Sequence, residues 1–231
     1  LKSYQRMRKL IIFGTGVVAQ CCISYFQSIK KYEIVGCTVD FDKIKNIKNF
    51  SVPIFPYQDI KKKFNKRDFE IVVCVGYSNN NLDRQKVYER IKEDGWSVGN
   101  LIPNYLESGS FNYSEGTIIF PGSKIQPFSK IGVCSIIWPG SVVGHHAVIG
   151  DFTWLASNCA IGGYSKIGHK TFIGLNSTIS DSIDIGHNNI IGAGTFISKN
   201  TKNDSVYIRQ QDEKYNLTTS NFVKLSKFGN M

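Results

Sequence analysis

The sequence lacks the long apolar runs of membrane proteins, and this absence argues against a helix that spans a bilayer. Such a helix needs roughly 18 or more consecutive apolar residues, and no segment of the 231-residue chain approaches that length. The basic amino terminus leads into a short apolar run, but the run ends in Gly14-Thr15-Gly16 without the cleavage site of a signal peptide. We therefore expect a cytoplasmic protein without a membrane span.

The six cysteines form no C-x-x-C pair, and no group of His and Cys has the spacing of metal ligands. Most of these cysteines lie in apolar runs, where buried free thiols of a reducing compartment are expected. We predict no metal site.

Acidic residues are few compared with basic ones, 18 against 28, which gives a net charge of +10. Positive charge attracts nucleic acid, membrane surfaces and anionic small molecules. The lysines are spread along the chain, and no nucleic-acid-binding motif accompanies their densest groups. We predict no nucleic-acid partner, and anionic molecules such as nucleotide sugars or coenzyme A suit the charge equally well.

The second half of the sequence carries a repeat of six residues that begins near Ile119. The first position of each hexad is aliphatic, glycine often follows it, and the residue four places on is usually small. The first positions run without an insertion: Ile119, Ile125, Ile131, Ile137, Val143, Ile149, Leu155, Ile161, Ile167, Ile173, Ile179, Ile185, Ile191 and Ile197.

A strict period of six predicts a parallel β-helix with three short strands in each coil. The aliphatic residue points inward and stacks on its equivalent one coil, or eighteen residues, away. An α-helix would need a period of 3.6, which is absent, and a β-sandwich would not keep one period over this length. The repeat resembles the left-handed β-helix of bacterial acyltransferases, and the handedness is implied by that resemblance alone.

The first half alternates predicted strands and helices, which indicates a parallel, Rossmann-like sheet. Strands are predicted at 9–13, 32–39, 51–54 and 70–76, and helices at 17–29, 59–66 and 81–94. The predicted fold class is therefore α/β plus all-β, with a Rossmann-like domain at 1–104, a left-handed β-helix at 105–208 and a capping segment at 209–231.

A glycine-rich turn connects the first predicted strand and helix. Gly14-x-Gly16-x-x-Ala19, with Asp40 after the next strand, has the context of a dinucleotide fingerprint. The glycines allow a phosphate to approach the helix amino terminus. Three interpretations stay open: a nicotinamide dinucleotide site, a site for the diphosphate of a nucleotide sugar, and a turn that only packs strand against helix.

A Rossmann-like domain followed by a hexapeptide β-helix resembles the sialic acid O-acetyltransferase (NeuD-like) family over nearly the whole chain. The segments that carry the resemblance are IIFGTGVVAQ, VVGHHAVIGDF, CAIGGYSKIGHKTFIGLNSTI and IIGAGTFISKN. It implies an acetyl-CoA-dependent homotrimer that acetylates an amine or hydroxyl of a nucleotide-linked sugar in surface-glycan biosynthesis.

The resemblance also assigns site residues. It implies that His145 is the general base, and it places His146 where N-acetyltransferases of the family often have a glutamate. The implied acetyl-CoA contacts are Trp154, Gly163, Leu175 and Ala193, and Gly163 is one coil from His145. The candidate substrate-binding residues are Gly14, Thr15, Gly16, Val17, Asp40, Gly76 and Tyr77.

Other interpretations of these residues stay open. His169 and His187 occupy the same place in the hexad as His145, so a turn histidine can be a plain surface residue. A nicotinamide-dependent oxidoreductase that uses Gly14, Gly16 and Asp40 is one alternative function. A non-catalytic binding protein is another, because His146 cannot supply the field of a carboxylate.

Overall fold

The computed structural model describes residues 7–44, 50–107, 109–210 and 218–221. The predicted capping segment 209–231 lies almost wholly outside these residues. Within the described ranges, no helix is both long and apolar enough to cross a membrane.

The amino-terminal part is a five-stranded parallel sheet in the order β3-β2-β1-β4-β5. The strands are β1 (Arg8–Phe13), β2 (Tyr32–Val39), β3 (Ile54–Pro56), β4 (Phe69–Val73) and β5 (Ser97–Val98). The helices are α1 (Val17–Phe26), α2 (Phe41–Ile44), α3 (Tyr57–Lys63) and α4 (Leu82–Glu93), and a 3₁₀ turn covers Asn104–Leu106. The central strands β1 and β4 are apolar because helices cover them on both faces.

Two predicted elements are displaced by tertiary contacts. The strand predicted at 51–54 is observed at Ile54–Pro56, because Ile54, Phe55 and Pro56 pair with the last residues of β2. The helix predicted at 59–66 consequently begins at Tyr57, directly after Pro56, and ends at Lys63. Pairing across the sheet sets these boundaries, and the local sequence does not contain that information.

The carboxyl-terminal part is a parallel β-helix of two-residue strands. Sheet 1 consists of β7 (Ile118–Ile119), β10 (Ile136–Ile137), β13 (Trp154–Leu155), β16 (Phe172–Ile173), β19 (Ile190–Ile191) and β21 (Val206–Tyr207). Sheet 2 consists of β8 (Lys124–Ile125), β11 (Val142–Val143), β14 (Ala160–Ile161), β17 (Thr178–Ile179) and β20 (Phe196–Ile197). Sheet 3 consists of β6 (Asn112–Tyr113), β9 (Lys130–Ile131), β12 (Val148–Ile149), β15 (Lys166–Ile167) and β18 (Asp184–Ile185).

The predicted lead residue of each hexad is the second residue of a strand. These side chains point into the coil and are almost all buried. Each strand pairs in parallel with the strand one coil away, as in Val143 with Ile161 and Ile149 with Ile167. Small polar residues such as Ser135, Ser141 and Thr171 complete the interior and donate their hydroxyls to backbone carbonyls of the next coil.

The outward positions explain which sheet the first domain covers. Sheet 1 presents a mostly apolar column, whereas sheet 3 presents Lys130, Lys166 and Asp184. The buried residues of α1 share one apolar cluster with Ile118, Ile136 and Trp154 of this column, and Phe26 also lies beside Phe120 at the adjoining turn. Trp154 in this column is only 5% exposed. Burial of this apolar column stabilises the contact between the two parts of the chain.

The β-helix has the form of a three-sided prism, and its turns form the three edges between the sheets. We call these edges corners 1, 2 and 3 according to the sheet that they follow. From Gly116 to Gly194, the third residue of each turn has a positive φ. Corner 1 has only glycine or asparagine at this position: Gly122, Gly140, Asn158, Asn176 and Gly194. Corner 2 has Phe128, His146, Tyr164 and Ser182 there, and corner 3 has Gly116, Cys134, Phe152, Lys170 and Asn188.

Arg84 of α4 links the two parts of the chain. Its guanidinium is fully buried and donates to the carbonyls of Cys134 and Phe152 in corner 3, and to those of Val75 and Gly76 after β4. Its described partners include no carboxylate, and burial lowers the pKa of Arg84 to about 10. Several charge-assisted hydrogen bonds thus compensate a buried cation, and they hold the loop after β4 against the β-helix.

Candidate functional site

A cavity of about 320 Å³ opens at the carboxyl ends of β1 and β4. The chain leaves β1 toward β2 on one side and β4 lies on the other, so this is the point where strand order reverses and where ligands bind in such sheets. Five of the predicted substrate-binding residues line the cavity together: Gly14, Thr15, Gly16, Asp40 and Gly76.

The two glycines of the turn have different physical roles. Gly14 has a φ of +127°, and a Cβ there would lie 2.7 Å from the carbonyl oxygen of Cys74. The fold alone therefore requires Gly14. Nothing lies within 4 Å of a Cβ built at Gly16, which begins the ten-residue helix α1. Gly16 leaves open space at a helix amino terminus, where backbone N–H groups can receive an anion.

Asp40 lines the cavity but already has partners within the chain. Arg90 Nη1 donates to its Oδ1 at 2.9 Å, and Gln58 Nε2 donates to the same oxygen at 3.4 Å. In a nicotinamide site the acidic residue accepts hydrogen bonds from the ribose. Here Arg90 orients the carboxylate of Asp40, so a ribose would have to share the carboxylate oxygens with Arg90.

Two predicted substrate-binding residues do not line this cavity. The Val17 side chain is exposed on α1. The Tyr77 ring lies 5.1 Å from that of Trp154 and 4.9 Å from that of Phe172, so it packs at the contact between the two parts. Tyr77 turns toward the β-helix because sheet 1 presents an apolar column opposite it, which local sequence does not reveal.

The cavity also contains polar residues that the sequence analysis did not identify. Lys43, Ser78 and Asp83 line it. Hydrogen bonds from the side chains of Asn79 and Ser78 lower the pKa of the Asp83 carboxyl. Lys43 follows β2 and Ser78 follows β4, so their position after strands of a parallel sheet is the signal that could have indicated them.

His145 lies in corner 2 and its imidazole is exposed. A Cβ built at Gly163 would lie 2.7 Å from His145 Cε1 and 2.9 Å from Nε2. The ring therefore occupies the space that a side chain at 163 would need. The backbone N–H of His145 donates to Gln126 Oε1 at 2.9 Å.

A series of side-chain hydrogen bonds in corner 3 shows how the surroundings of His145 differ from those of His169 and His187. There the second turn residue of each coil accepts a hydrogen bond from the backbone N–H one coil earlier, as His169 Nδ1 does from Asp151 and His187 Nδ1 does from His169. The residue one coil before His145 is Pro127, which has no backbone N–H to donate. The His145 ring is therefore released from the structural role that His169 and His187 have.

His146 follows in the left-handed conformation, with a φ of 58°. Its ring stacks on Tyr164 with centroids 4.6 Å apart and lies 4.8 Å from Phe128. His146 Nδ1 is 3.3 Å from His145 Nδ1. Three successive coils thus bring three rings together beside His145.

The predicted acetyl-CoA contacts lie on different surfaces of one chain. Gly163 is in corner 2, whereas Leu175 and Ala193 are exposed in corner 1, one coil apart. Trp154 is an outward residue of sheet 1, and its ring is covered by Tyr77 and Trp138. The first domain covers that side of sheet 1, so the Trp154 ring does not share a surface with the other three. Their roles in binding stay predictions.

Comparisons with known proteins show what the first domain is similar to and which solved structures share the fold of most of the chain. Residues 9–91 match the family model of the PglD N-terminal domain. The acetyltransferase domain of PglB from Neisseria gonorrhoeae, solved with acetyl coenzyme A, is 20% identical with a TM-score of 0.71, over 86% of this chain and 96% of that one.

Two further solved structures have the same architecture. PerB from Caulobacter crescentus, in complex with CoA and GDP-perosamine, is 22% identical with a TM-score of 0.72, over 86% of this chain and 92% of that one. WeeI from Acinetobacter baumannii is 17% identical with a TM-score of 0.59, over 87% and 96%. A comparison with curated proteins gave no match.

The predicted fold class is confirmed: a Rossmann-like α/β domain precedes a left-handed parallel β-helix. None of these comparisons singles out the NeuD-like family. The chain has the fold of hexapeptide-repeat sugar acetyltransferases, and its amino-terminal domain matches the PglD type.

Proposed function

We propose that the protein is an acetyl-CoA-dependent acyltransferase that moves an acetyl group to an amine or hydroxyl of a nucleotide-linked sugar in surface-glycan biosynthesis. One observation carries the proposal: the exposed ring of His145, freed by Pro127, lies against Gly163 in the β-helix. Fold relatives solved with acetyl coenzyme A, or with CoA and GDP-perosamine, support the class of donor and acceptor.

In the proposed reaction, His145 Nε2 takes the proton of the acceptor while the acceptor nitrogen or oxygen attacks the thioester carbonyl carbon. The new bond to carbon forms, the carbon–sulfur bond breaks, and the proton passes from His145 to the leaving sulfur, which gives the thiol of CoA. Imidazole suits this task because it exchanges protons near neutral pH. Gly163 supports the proposal because no side chain there obstructs a thioester near His145.

The cavity of the first domain is the proposed site for the nucleotide. The N–H groups at the start of α1 and the open space at Gly16 suit the diphosphate, and Lys43 adds a positive charge. Asp40 and Asp83 supply acceptors for hydroxyl or base N–H groups. Tyr77 contributes by packing on Trp154 and Phe172 of the β-helix, which positions the loop after β4, and Val17 contributes through its backbone at the helix start.

The proposed donor contacts require a second copy of the chain. Gly163 and His145 are in corner 2, whereas Leu175 and Ala193 are in corner 1, on another edge of the prism. A single acetyl-CoA reaches both edges when corner 1 of one chain faces corner 2 of its neighbour. A head-to-tail contact of this kind forms a ring when its rotation closes, and the family resemblance implies that the ring is a homotrimer.

The test is a thiol-release assay with acetyl-CoA and a panel of nucleotide-linked amino sugars and sialic acid. We expect CoA thiol only when both donor and acceptor are present. His145→Ala should lower kcat by about 100-fold or more and leave the oligomer and thermal unfolding unchanged. His187→Ala, the matched control in corner 3, should keep full turnover.

The two alternative functions give different results. Tight binding of NAD(H) without thiol release would support the oxidoreductase. Failure to bind acetyl-CoA in titration would support a non-catalytic binding protein. Full activity of His145→Ala would overturn the assignment of the base.

A further inference from the structure

The aromatic rings of corner 2 occupy positions that the backbone does not favour for them. A left-handed φ suits glycine and asparagine and is unfavourable for bulky residues. Corner 1 follows this rule in every described coil, whereas corner 2 has Phe128, His146 and Tyr164 in succession. Corner 3 has one ring at this position, Phe152, which packs on Tyr88 of the first domain. In corner 2 the rings of three successive coils pack on one another beside His145.

The facing nitrogens of His145 and His146 restrict where the protons are. The two Nδ1 atoms are 3.3 Å apart. A neutral imidazole has one nitrogen that donates and one that accepts. For a hydrogen bond to form, only one of these Nδ1 atoms carries a hydrogen, and the other presents its lone pair.

The ring of His146 is fixed while that of His145 is open on one side. His146 and Tyr164 stack with an interplanar angle of 12°, and Phe128 lies on the other neighbouring coil. His145 Nδ1 is occupied by His146, so Nε2 is the nitrogen that an acceptor substrate can reach. A base that acts through Nε2 needs its lone pair there, and therefore needs its own hydrogen on Nδ1.

We propose that His146 is a positioning residue that accepts a hydrogen bond from His145 Nδ1–H and so leaves the lone pair of His145 on Nε2. This inference rests on the proposed function, because that function requires Nε2 as the base. The His146 ring fixes the orientation and the proton position of the His145 ring, as a carboxylate would, without adding a negative charge. The stack between Phe128 and Tyr164 holds the acceptor nitrogen in place.

The protonation of the ring nitrogens can be observed directly. All four histidines lie in the described residues, so ¹⁵N-histidine NMR of the intact protein, at a pH where imidazoles are neutral, gives four assignable rings. His169 and His187 accept backbone N–H groups on Nδ1, which places their hydrogen on Nε2. His169 Nδ1 also lies 3.2 Å from Asp151 Oδ2, so His187 is the cleaner internal reference. We expect His146 to resemble them and His145 alone to carry hydrogen on Nδ1.

A spectrum in which native His145 carries hydrogen on Nε2 and a bare Nδ1 would overturn the inference. In His146→Phe the acceptor is lost while a ring is kept, and Phe128 shows that the corner accommodates phenylalanine at this position. We expect the hydrogen of His145 to move to Nε2 in this variant. Persistence of hydrogen on Nδ1 in the variant would equally count against the proposal.

Turnover gives the second measurement. His146→Phe should lower kcat about 10- to 100-fold, because part of a general-base contribution is lost, with little change in KM. His146→Glu should restore most of the loss, because a carboxylate also accepts the hydrogen bond from His145 Nδ1–H. Full turnover of His146→Phe would overturn the inference. If the native protein released no thiol, the proposed function would fall, whereas the NMR spectrum would still report the proton positions.

Discussion

Corners 2 and 3 of the β-helix each carry two histidines, and the two pairs have opposite roles. In corner 3, His169 and His187 stack with centroids 5.0 Å apart and use Nδ1 to accept backbone N–H groups of the preceding coil. In corner 2, Pro127 removes the donor above His145 and Gly163 leaves space below it. The comparison teaches that the neighbours one coil away decide whether a turn histidine is structural or free to react.

The two corners also differ in their surroundings. The first domain covers corner 3 through Arg84, which bonds the carbonyls of Cys134 and Phe152. Corner 2 remains exposed, with Phe128 and Tyr164 each more than half accessible. A single solenoid thus provides one edge for attachment of a domain and another edge for chemistry.

The largest expected effect is a loss of stability when the hydrogen bonds between Arg84 and corner 3 are removed. Arg84→Ala leaves several buried carbonyl groups without donors, which should cost on the order of 3–5 kcal/mol in the free energy of unfolding. Denaturant unfolding followed by circular dichroism measures the loss. Lys86→Ala, on the exposed side of the same helix, is the control and should change stability by less than about 0.5 kcal/mol. An Arg84→Ala protein of native stability would show that these hydrogen bonds do not hold the two parts together.

The next prediction separates stability from activity within corner 2. A Cβ at Gly144 would lie 2.6 Å from Gly163 N, and its three nearest atoms are all backbone atoms of the next coil. Gly144→Ala should therefore destabilise the protein by about 1–3 kcal/mol, as overpacking does. The three atoms nearest to a Cβ at Gly163 all belong to the exposed His145 ring, which can rotate away.

Gly163→Ala should therefore retain native stability and lower kcat on the order of 10- to 100-fold, because a small displacement of a reacting group is costly. Thermal unfolding and the thiol-release assay, run on both alanine variants, give the comparison. Equal losses of stability in the two variants would contradict the difference between backbone and side-chain contacts.

The smallest expected effect concerns the series of side-chain hydrogen bonds in corner 3. His187→Ala removes the acceptor of the His169 N–H group, which should cost about 1 kcal/mol of stability without loss of turnover. His187→Asn should be nearly neutral, because Asn203 already performs this role for the N–H of His187 at 2.8 Å. A loss of turnover in His187→Ala would instead give this corner a part in the reaction.

Much of the fold could be predicted from local patterns. The period of six gave every inward residue from Ile119 to Ile197, because each coil repeats the same local environment. The glycine turn and the start of α1 at Val17 were placed correctly, since a tight turn is a local feature, whereas the helix ends at Phe26 and not at Ile29 as predicted. The strand at Ile54–Pro56 was misplaced, because its position depends on pairing with β2.

The candidate site was predictable where it follows the repeat and unpredictable where it depends on domain contacts. The eighteen-residue coil placed Gly163 against His145, and the same count could have indicated Pro127 above it. Tyr77 and Trp154 were expected to touch ligands, but the structure brings them together at the contact between domains. Their contact depends on which face of the β-helix the first domain covers.

The sequence by itself determined the β-helix, its inward residues and the alignment of residues one coil apart, because a fixed period converts distance along the chain into position in space. Only the tertiary structure decided that α1 packs on sheet 1, that Arg84 links the two parts, and that the Nδ1 atoms of His145 and His146 face each other. The first two features arise where the two domains meet. The third depends on Phe128 and Tyr164 of the neighbouring coils, whose rings pack on that of His146, and no local pattern encodes this packing.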